Sequence, residues 1–303
     1  MEHLKLTFEN IMKSGVLFYD KIAEDACFDI CSHLKIDNLP SIDSMNYYEL
    51  ENSTFQKKEI RNEHCVFVDD SIFESKFLNS FKINKQNVLF VFEESVIRGV
   101  VHISDYNGDI VLQSIQDDML SFERKLRQLF LLNGFVNEDM YKYFIYKKEK
   151  SKRDRDFQFL DRKIKGYQAS INEINSLGQF QLCDFGDLMG FAGSKFSGSI
   201  FKIKEYTING AKKQGTDILR EMRNMAMHAK NPISKDLTTS IYNIDSLMMI
   251  FESLQVFRQV SAELINKIRQ HPDFLRSIEL ENRSKLQIIH EHHPKALEYF
   301  LGF

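Results

Sequence analysis

The feature that most constrains this chain is a helical apolar period running almost unbroken from about residue 116 to residue 270. Apolar side chains recur there at three- and four-residue intervals, the spacing that lines one face of an α-helix. Residues 116–133 carry Leu120, Phe122, Leu126, Leu129 and Phe130 and end at Asn133-Gly134. Residues 138–149 and 155–177 read the same way, and 181–191 form a shorter helical candidate. Residues 216–229 read as a helix capped by Thr216 or Asp217 and stopped near Asn231-Pro232. Residues 244–270 read as one long helix, and a polar tail over 273–301 as a closing hairpin. The stretch 193–215 holds Gly193, Gly198, Gly210 and Gly215 and reads as loop, with one strand-like piece at Ser199–Ile203. With 4 Pro in 303 residues, a many-turned all-β architecture is disfavoured.

The first 115 residues mix periods. Residues 21–34 place Ile22, Ala26, Cys27, Ile30 and Leu34 at helical spacing, and a short apolar piece, Leu39-Pro40-Ser41-Ile42, follows. Cys65-Val66-Phe67-Val68 is a β-type run. Residues 70–81 read as a helix, with Asp70 or Ser71 as N-cap and Glu74 able to close a capping box. Val88–Phe92 and Val96–Ile103 are rich in β-branched and aromatic residues and flank Glu93-Glu94-Ser95, which predicts a hairpin. The expected architecture is an α+β module over 1–115 followed by an all-α domain over 116–303 with a C-terminal helical extension.

Composition removes several classes. At 43% hydrophobic the chain is too apolar to be disordered. No apolar run approaches the ~18 residues that span a bilayer. Met-Glu-His-Leu-Lys carries no basic region ahead of an apolar one, so no secretory signal is expected. Four irregularly spaced Cys do not make a disulfide scaffold. The expectation is a cytoplasmic protein with no membrane partner. Residues 1–115 sum to −8 and residues 116–303 to +5 within the total of −3. A basic second half suits a polyanionic partner, though the charge is modest.

Two N-terminal stretches look like one unit used twice. The first runs from Ile22–Ala26 through a helix to Ile36–Asp43. The second runs from Val66–Ser71 through a helix to Val88–Phe92 and Gly99–Asp105. Together they resemble a pair of CBS domains, the βαββα units that sense adenine nucleotides. The closest stretch is Gly99-Val100-Val101-His102-Ile103-Ser104-Asp105, which resembles the family's Gly-apolar-apolar-Thr-x-x-Asp ending. The resemblance implies that Asp105 holds a ribose and that His102, standing where Thr is usual, contacts phosphate. The first unit lacks this ending. A degenerate pair used for dimerisation or packing is the alternative.

Residues 220–230 read Arg-Glu-Met-Arg-Asn-Met-Ala-Met-His-Ala-Lys. His228 stands five positions after Arg223, and Asn224 follows the Arg directly. These residue types suit metal-free cleavage of RNA by its own 2′-hydroxyl. That reaction needs a base, an acid and positive charge on the phosphorane. A His can transfer protons near neutral pH, typically worth ~10²–10⁴-fold. An Arg grips phosphate oxygens bidentately. Five residues span about 140° of helix, so Arg223 and His228 do not share a face, whereas Asn224 and His228 do.

This stretch looks like the Arg-polar-x-x-x-His motif of HEPN ribonucleases, and Phe122–Arg127 resembles a phrase that opens such domains. The resemblance covers about residues 116–270. It implies an all-α HEPN-like bundle, a homodimer whose two motifs line one cleft, and products with 2′,3′-cyclic phosphate and 5′-hydroxyl ends. It assigns catalysis to Arg223, Asn224 and His228, with no cofactor required. Arg220, Lys230, Lys152, Arg153 and Arg155 are RNA-binding candidates, tRNA being one candidate substrate. An adenine nucleotide is the candidate regulatory ligand and an antitoxin a candidate partner, as in bacterial toxins and antiviral effectors. The alternative is a non-catalytic adenine-nucleotide sensor, RNA-binding or assembly protein. A surface ion pair at Arg223 and a helix-end charge at His228 would account for the motif without chemistry.

Other features read as structural. Cys27 and Cys31 are expected as buried core thiols. Cys65 and Cys183 have no ligand spacing for zinc. His290-Glu291-His292-His293 reads as a solvated segment rather than a metal site. Gly186–Ser194 is not a phosphate loop, because no Lys-Ser/Thr follows the glycines. Lys147–Lys165, with nine basic and four acidic residues, reads as a solvated helix face or as an RNA guide. Nearby Tyr141, Tyr143, Phe144, Tyr146, Phe157 and Phe159 could stack bases in the second case.

Overall fold

A computed structural model describes residues 6–74, 76–77, 80–81, 88–151, 154–169, 179–196, 205–208, 210–228, 233 and 244–276. A small sheet-containing N-terminal region is followed by a largely helical C-terminal part. The chain divides into two compact units. The first comprises Met1–Asp118, Thr207–Lys212 and Glu221–Gln255. The second comprises Met119–Tyr206, Lys213–Arg220 and Val256–Phe303.

The first unit opens with a short helix α1 (Phe8–Ile11) and a helix α2 (Glu24–Leu34). Helix α2 has the predicted period but a different buried face. Cys27 and Cys31 are buried, as expected, while Ile22, Ile30 and Leu34 are exposed at 97%, 38% and 58%. The thiols meet Leu39, with Leu17, Tyr19, Ile36, Leu50 and Phe55 around them. Leu39 lies in β1 (Asn38–Pro40), which pairs with β2 (Asn46–Glu51), which pairs with β3 (Thr54–Glu59), all antiparallel. Strands β2 and β3 are absent from the sequence reading. Asn52 and Ser53 between them have φ of 49° and 65°. Two consecutive positive φ values make a tight turn whose twist suits a hairpin. On one face Lys58 binds Glu49 and Glu51, which fixes the register.

A second sheet joins β4 (Cys65–Phe67), β5 (Val88–Glu93) and β6 (Val96–His102). β4 runs parallel to β5, and β5 pairs antiparallel with β6 as the predicted hairpin. Tyr47, Phe90, Phe92 and Ile97 form its core cluster. Gly99 in β6 admits the N-terminal chain. A Cβ there would lie 2.7 Å from Met12 Sδ and 3.0 Å from the Lys13 carbonyl. Lys13 and Val100 exchange two backbone hydrogen bonds at that point, of 2.9 and 3.1 Å. Of the helix expected over 70–81, residues 70–74 instead form a bend and turn, with Ser71 bridging to Thr7, while 76, 77, 80 and 81 are helical.

Strand β6 leads through a turn, Ile103–Asn107, into α3 (Asp109–Leu132). The helices α4 (Asn137–Lys150), α5 (Asp154–Ala169) and α6 (Phe185–Lys195) follow. The predicted loop ahead of residue 215 instead holds a two-stranded hairpin, β7 (Glu205–Ile208) and β8 (Ala211–Gln214). Gly210 in its turn has φ +75°, which glycine adopts without steric cost. Helices α7 (Gly215–Met227) and α8 (Ile244–Gln270) complete the described chain. The strand-like piece at 199–203 and the tail beyond 276 lie outside the described residues. Among the described residues no helix is long and apolar enough to cross a membrane.

Phenylalanine fills the second unit's interior. Phe130 meets Phe180, Phe191 and Phe196 with centroids 5.2, 5.1 and 6.2 Å apart, and Phe122 meets Phe185 and Phe257 at 6.2 and 5.5 Å. Most of these are edge-to-face or tilted, the arrangement the ring quadrupole favours. Lys163 of α5 binds Asp184 at 2.7 Å and also Asp187. Asp184 Oδ1 accepts the Asp187 N–H at 2.9 Å, capping α6, and Asp187 accepts the Asp184 N–H in return at 3.2 Å. Burial, with Asp184 close by, pushes the Asp187 carboxyl up. Burial also opposes charge on Asp184, but the bond and charge of Lys163 together with the Asp187 and Gly186 N–H groups outweigh it and hold that carboxyl down.

Lys163→Ala would leave both carboxylates without their cation. It is expected to lower stability by about 1–3 kcal/mol in urea denaturation, with Lys165→Ala, an exposed neighbour, near neutral. Burial raises Cys31 and Cys65 to about 11 and Cys183 to about 12. Iodoacetamide at pH 8 should therefore label these three thiols on the order of 10²-fold more slowly in the folded chain than in the urea-unfolded one.

Candidate functional site

Helix α7 carries the Arg223–His228 motif, and its apolar stripe explains the orientation of each member. Ile218, Met222 and Ala226 recur at four-residue spacing and are buried. Asn224 lies about 200° from Met222 around the helix and is exposed. His228, one turn further on, is exposed too, and its N–H still donates to the Asn224 carbonyl at 3.2 Å. Arg223 lies beside the buried stripe and is half-buried. The helix thus puts Asn224 and His228 on one open face and turns Arg223 about 140° from His228.

Within the first unit, one side chain from earlier in the chain reaches the last residue of this helix and another holds a residue beyond it. Gln116 Nε2 reaches Met227 Sδ at 3.6 Å. Asn107 takes both backbone polar groups of Ile233. Its Oδ1 accepts the Ile233 N–H at 2.7 Å, and its Nδ2 donates to the Ile233 carbonyl at 3.1 Å. Ile233 itself is 1% exposed. Sequence reasoning singled out neither residue. Asn107 stood out only as part of a turn, and nothing local signals a partner 126 positions away.

The nucleotide candidates sit on that same turn. Asp105 Oδ2 accepts the His102 N–H at 2.8 Å, and His102 Nδ1 accepts the Ser104 N–H at 3.1 Å. This is a reciprocal cap built from the residues that resemble the CBS ending. Lys13 approaches Asp105 at 3.7 Å. His102 Nδ1 also lies 2.7 Å from the Ser104 hydroxyl. The turn is anchored by Tyr106, 1% exposed, whose hydroxyl donates to the Ile72 carbonyl at 2.8 Å. Phe251 of α8 lies 5.9 Å from the Tyr106 ring.

Arg220 is exposed and pairs with Asp217 at 2.8 Å. Lys152, Arg153 and Lys230 lie outside the described residues, as does the side chain of Arg155, whose backbone is in α5. In the basic stretch Lys148 binds Asp161 at 2.5 Å and lies 4.6 Å over the Phe157 ring. Lys165 binds Asp161 at 2.8 Å. These two lysines hold the Asp161 carboxyl down at about 2. Tyr146, Phe157 and Phe159 are exposed, while Tyr141 stacks on Tyr167 at 4.8 Å. Phe157 and Phe159 are two residues apart on one helix, so they face opposite sides.

An open depression of 520 Å³ lies over Met45, Cys65, Phe67, Phe92 and Glu94, and none of the site candidates lines it. Among the described residues no group of three or more His, Cys, Asp or Glu is placed to hold a metal ion. His290–His293 lie outside them. No family model matches the chain, and no match was found among curated proteins or solved structures.

Gly99 is required by packing whatever the turn beyond it binds. Gly99→Val would drive a side chain into Met12 and the Lys13 carbonyl, and is expected to cost about 1–3 kcal/mol in chemical denaturation. A value within 0.3 kcal/mol of zero would show that this approach is not made.

Proposed function

We propose that this chain is a metal-independent endoribonuclease of the HEPN-like type, acting in the cytoplasm as a homodimer. The observation that carries the reading is the exposed pair Asn224 and His228 at the end of α7, with a half-buried Arg223 one turn of chain away. A proton-transfer group and a fixed cation on one short helix are the two kinds of group that phosphodiester transfer to a 2′-hydroxyl requires.

In this reading the 2′-oxygen forms a bond to phosphorus and the bond from phosphorus to the 5′-oxygen breaks. His228 takes the 2′ proton or returns a proton to the departing 5′-oxygen. Arg223 offsets the charge that builds on the phosphorane, and Asn224 orients the imidazole from one turn away. The 140° between Arg223 and His228 makes one protomer's set incomplete, so a second protomer's motif completes the cleft and supplies the other proton-transfer group. Arg220 is a further phosphate contact, because its ion pair with Asp217 is exposed and therefore weak.

The N-terminal module would gate this activity as a toxin or antiviral effector does. In support, β4, the segment after it, β5, β6 and α3 follow the order of a βαββα unit. Helix α2 with the antiparallel β1–β3 meander does not repeat that order. One observation favours a packing role for the module over nucleotide sensing: Asp105, the ribose candidate, already caps its own turn.

The test is cleavage of total tRNA and of a labelled single-stranded RNA in EDTA, with and without adenine nucleotides. Wild type should cleave, and Arg223→Ala and His228→Ala should each lose ~10²-fold or more. A folded dimer that cleaves nothing under any nucleotide condition would leave the sensor or assembly reading in its place. Equal cleavage by wild type and both variants would move the activity elsewhere.

A further inference from the structure

We propose that the open depression over Met45, Phe67 and Phe92 is a binding site for a small organic monocation, an ammonium or guanidinium group on an apolar body. The site lies within the first unit and is independent of the ribonuclease reading. Phe67 of β4 and Phe92 of β5 are partners in register, so their side chains stand on one face of the sheet. Cys65 and Phe90, the pair two residues back, stand on that face too. There Tyr47 packs on Phe90, with ring centroids 5.5 Å apart, and closes the core. One step further along, Phe67 is left 49% exposed, and Met45 is 70% exposed. Both line the depression, whose 520 Å³ falls within the about 300–1,000 Å³ of small-molecule sites. Aromatic rings and a thioether offer polarisable apolar surface, and a ring face attracts a cation.

The charge around the depression sets the sign of the ligand. Asp43 and Glu94 line it, and no lysine, arginine or histidine does. Arg61 and Arg98, the bases nearest in sequence to its lining, pair instead with Glu63 at 3.8 Å and Glu93 at 2.5 Å. The Met45 N–H at 2.9 Å and the Asn46 side-chain amide at 3.0 Å donate to Asp43, which holds its carboxyl below the usual carboxylate range and keeps it charged. Ser44 accepts the Ile97 N–H at 3.4 Å and ties this loop to β6. Residues 1–115 carry a net −8, a field that draws cations and repels anions such as nucleotides. A free molecule fits better than the basic side chain of a partner protein. A peptide laid beside the depression would pair along β4, and that edge is already used. The Phe67 N–H donates to Asp70 at 2.8 Å, and the Phe67 carbonyl accepts the Asp70 N–H at 3.1 Å.

The experiment titrates the full-length chain, carbon-13-labelled at its methionine methyls, with phenethylammonium at pH 7 and low salt. The Met45 methyl resonance should shift and saturate with a Kd of about 1–10 mM, as suits so small a ligand. Met222, buried in the first unit, is the control and should not move. 2-Phenylethanol, the same body without the charge, should bind at least tenfold more weakly. Glu94→Gln and Phe67→Ala should each weaken the amine at least threefold while leaving the Met222 resonance in place. If either variant fails to fold, raising the salt on wild type from about 20 to about 300 mM makes the charge comparison, and should weaken the amine but not the alcohol. A Met45 shift that never saturates overturns the proposal, and so does equal binding of the alcohol or undiminished binding by Glu94→Gln. A Met45 shift produced by AMP at lower concentration than by the amine overturns the sign of the ligand. An arginine-rich peptide that binds more than tenfold tighter than argininamide overturns the assignment to a free molecule. No RNA is present, so none of these results depends on whether the chain cleaves it.

Discussion

Between β6 and α3 the chain makes one five-residue turn, Ile103–Asn107, and the first unit is tied together there. Ile103 and Tyr106 are buried, and the Tyr106 hydroxyl satisfies the carbonyl of Ile72. Tyr106, Phe73 and Phe251 pack with centroids between 5.8 and 6.4 Å. Asn107 fixes Ile233. A buried hydroxyl and a half-buried amide are costly unless their polar atoms are matched. Once matched, they specify one arrangement more sharply than apolar packing does. The turn therefore holds chain segments far apart in sequence in one register.

The second unit solves a different problem with different means. Its core is a cluster of phenylalanines, and rings without polar atoms need only shape and edge-to-face contact. Buried polar groups fix it as well: Asn137 Oδ1 accepts the Phe180 N–H at 2.6 Å, and Arg127 donates to the Phe180 and Cys183 carbonyls at 3.2 Å each. Lys163 gathers the two carboxylates that cap α6, and Lys148 and Lys165 share Asp161 between α4 and α5. Three of the nine basic residues of the stretch 147–165, Lys148, Lys163 and Lys165, are paired in this way.

Helix α7 illustrates how far a motif can be read before a fold is known. The four-residue stripe of Ile218, Met222 and Ala226 settles which face is buried, and hence that Asn224 and His228 face outward. That much follows from period alone. The same arithmetic separates Arg223 from His228, and it makes a second protomer part of the proposed site. The side chain that fixes Ile233 could not be read this way. Asn107 carries no local pattern, and its partner is a backbone whose only distinguishing property is burial. The β2–β3 hairpin was missed for a similar reason. Its turn, Asn52-Ser53, lacks the glycine that usually marks such a turn, and its strands carry too many charges to look apolar.

The sequence by itself determined that the C-terminal part is largely helical, that Val88–Phe92 and Val96–Ile103 pair, and that Asn224 and His228 share a face of α7. These are consequences of side-chain period and backbone preference, which act over a few residues. Only the tertiary structure decided which face of α2 is buried, that Asp105 caps its own turn, which lysines are spent on carboxylates, and that Asn107 meets Ile233. Those outcomes depend on which buried polar group finds which partner. That is a global matching problem, because an unpaired group costs as much whether its partner lies four residues away or 126.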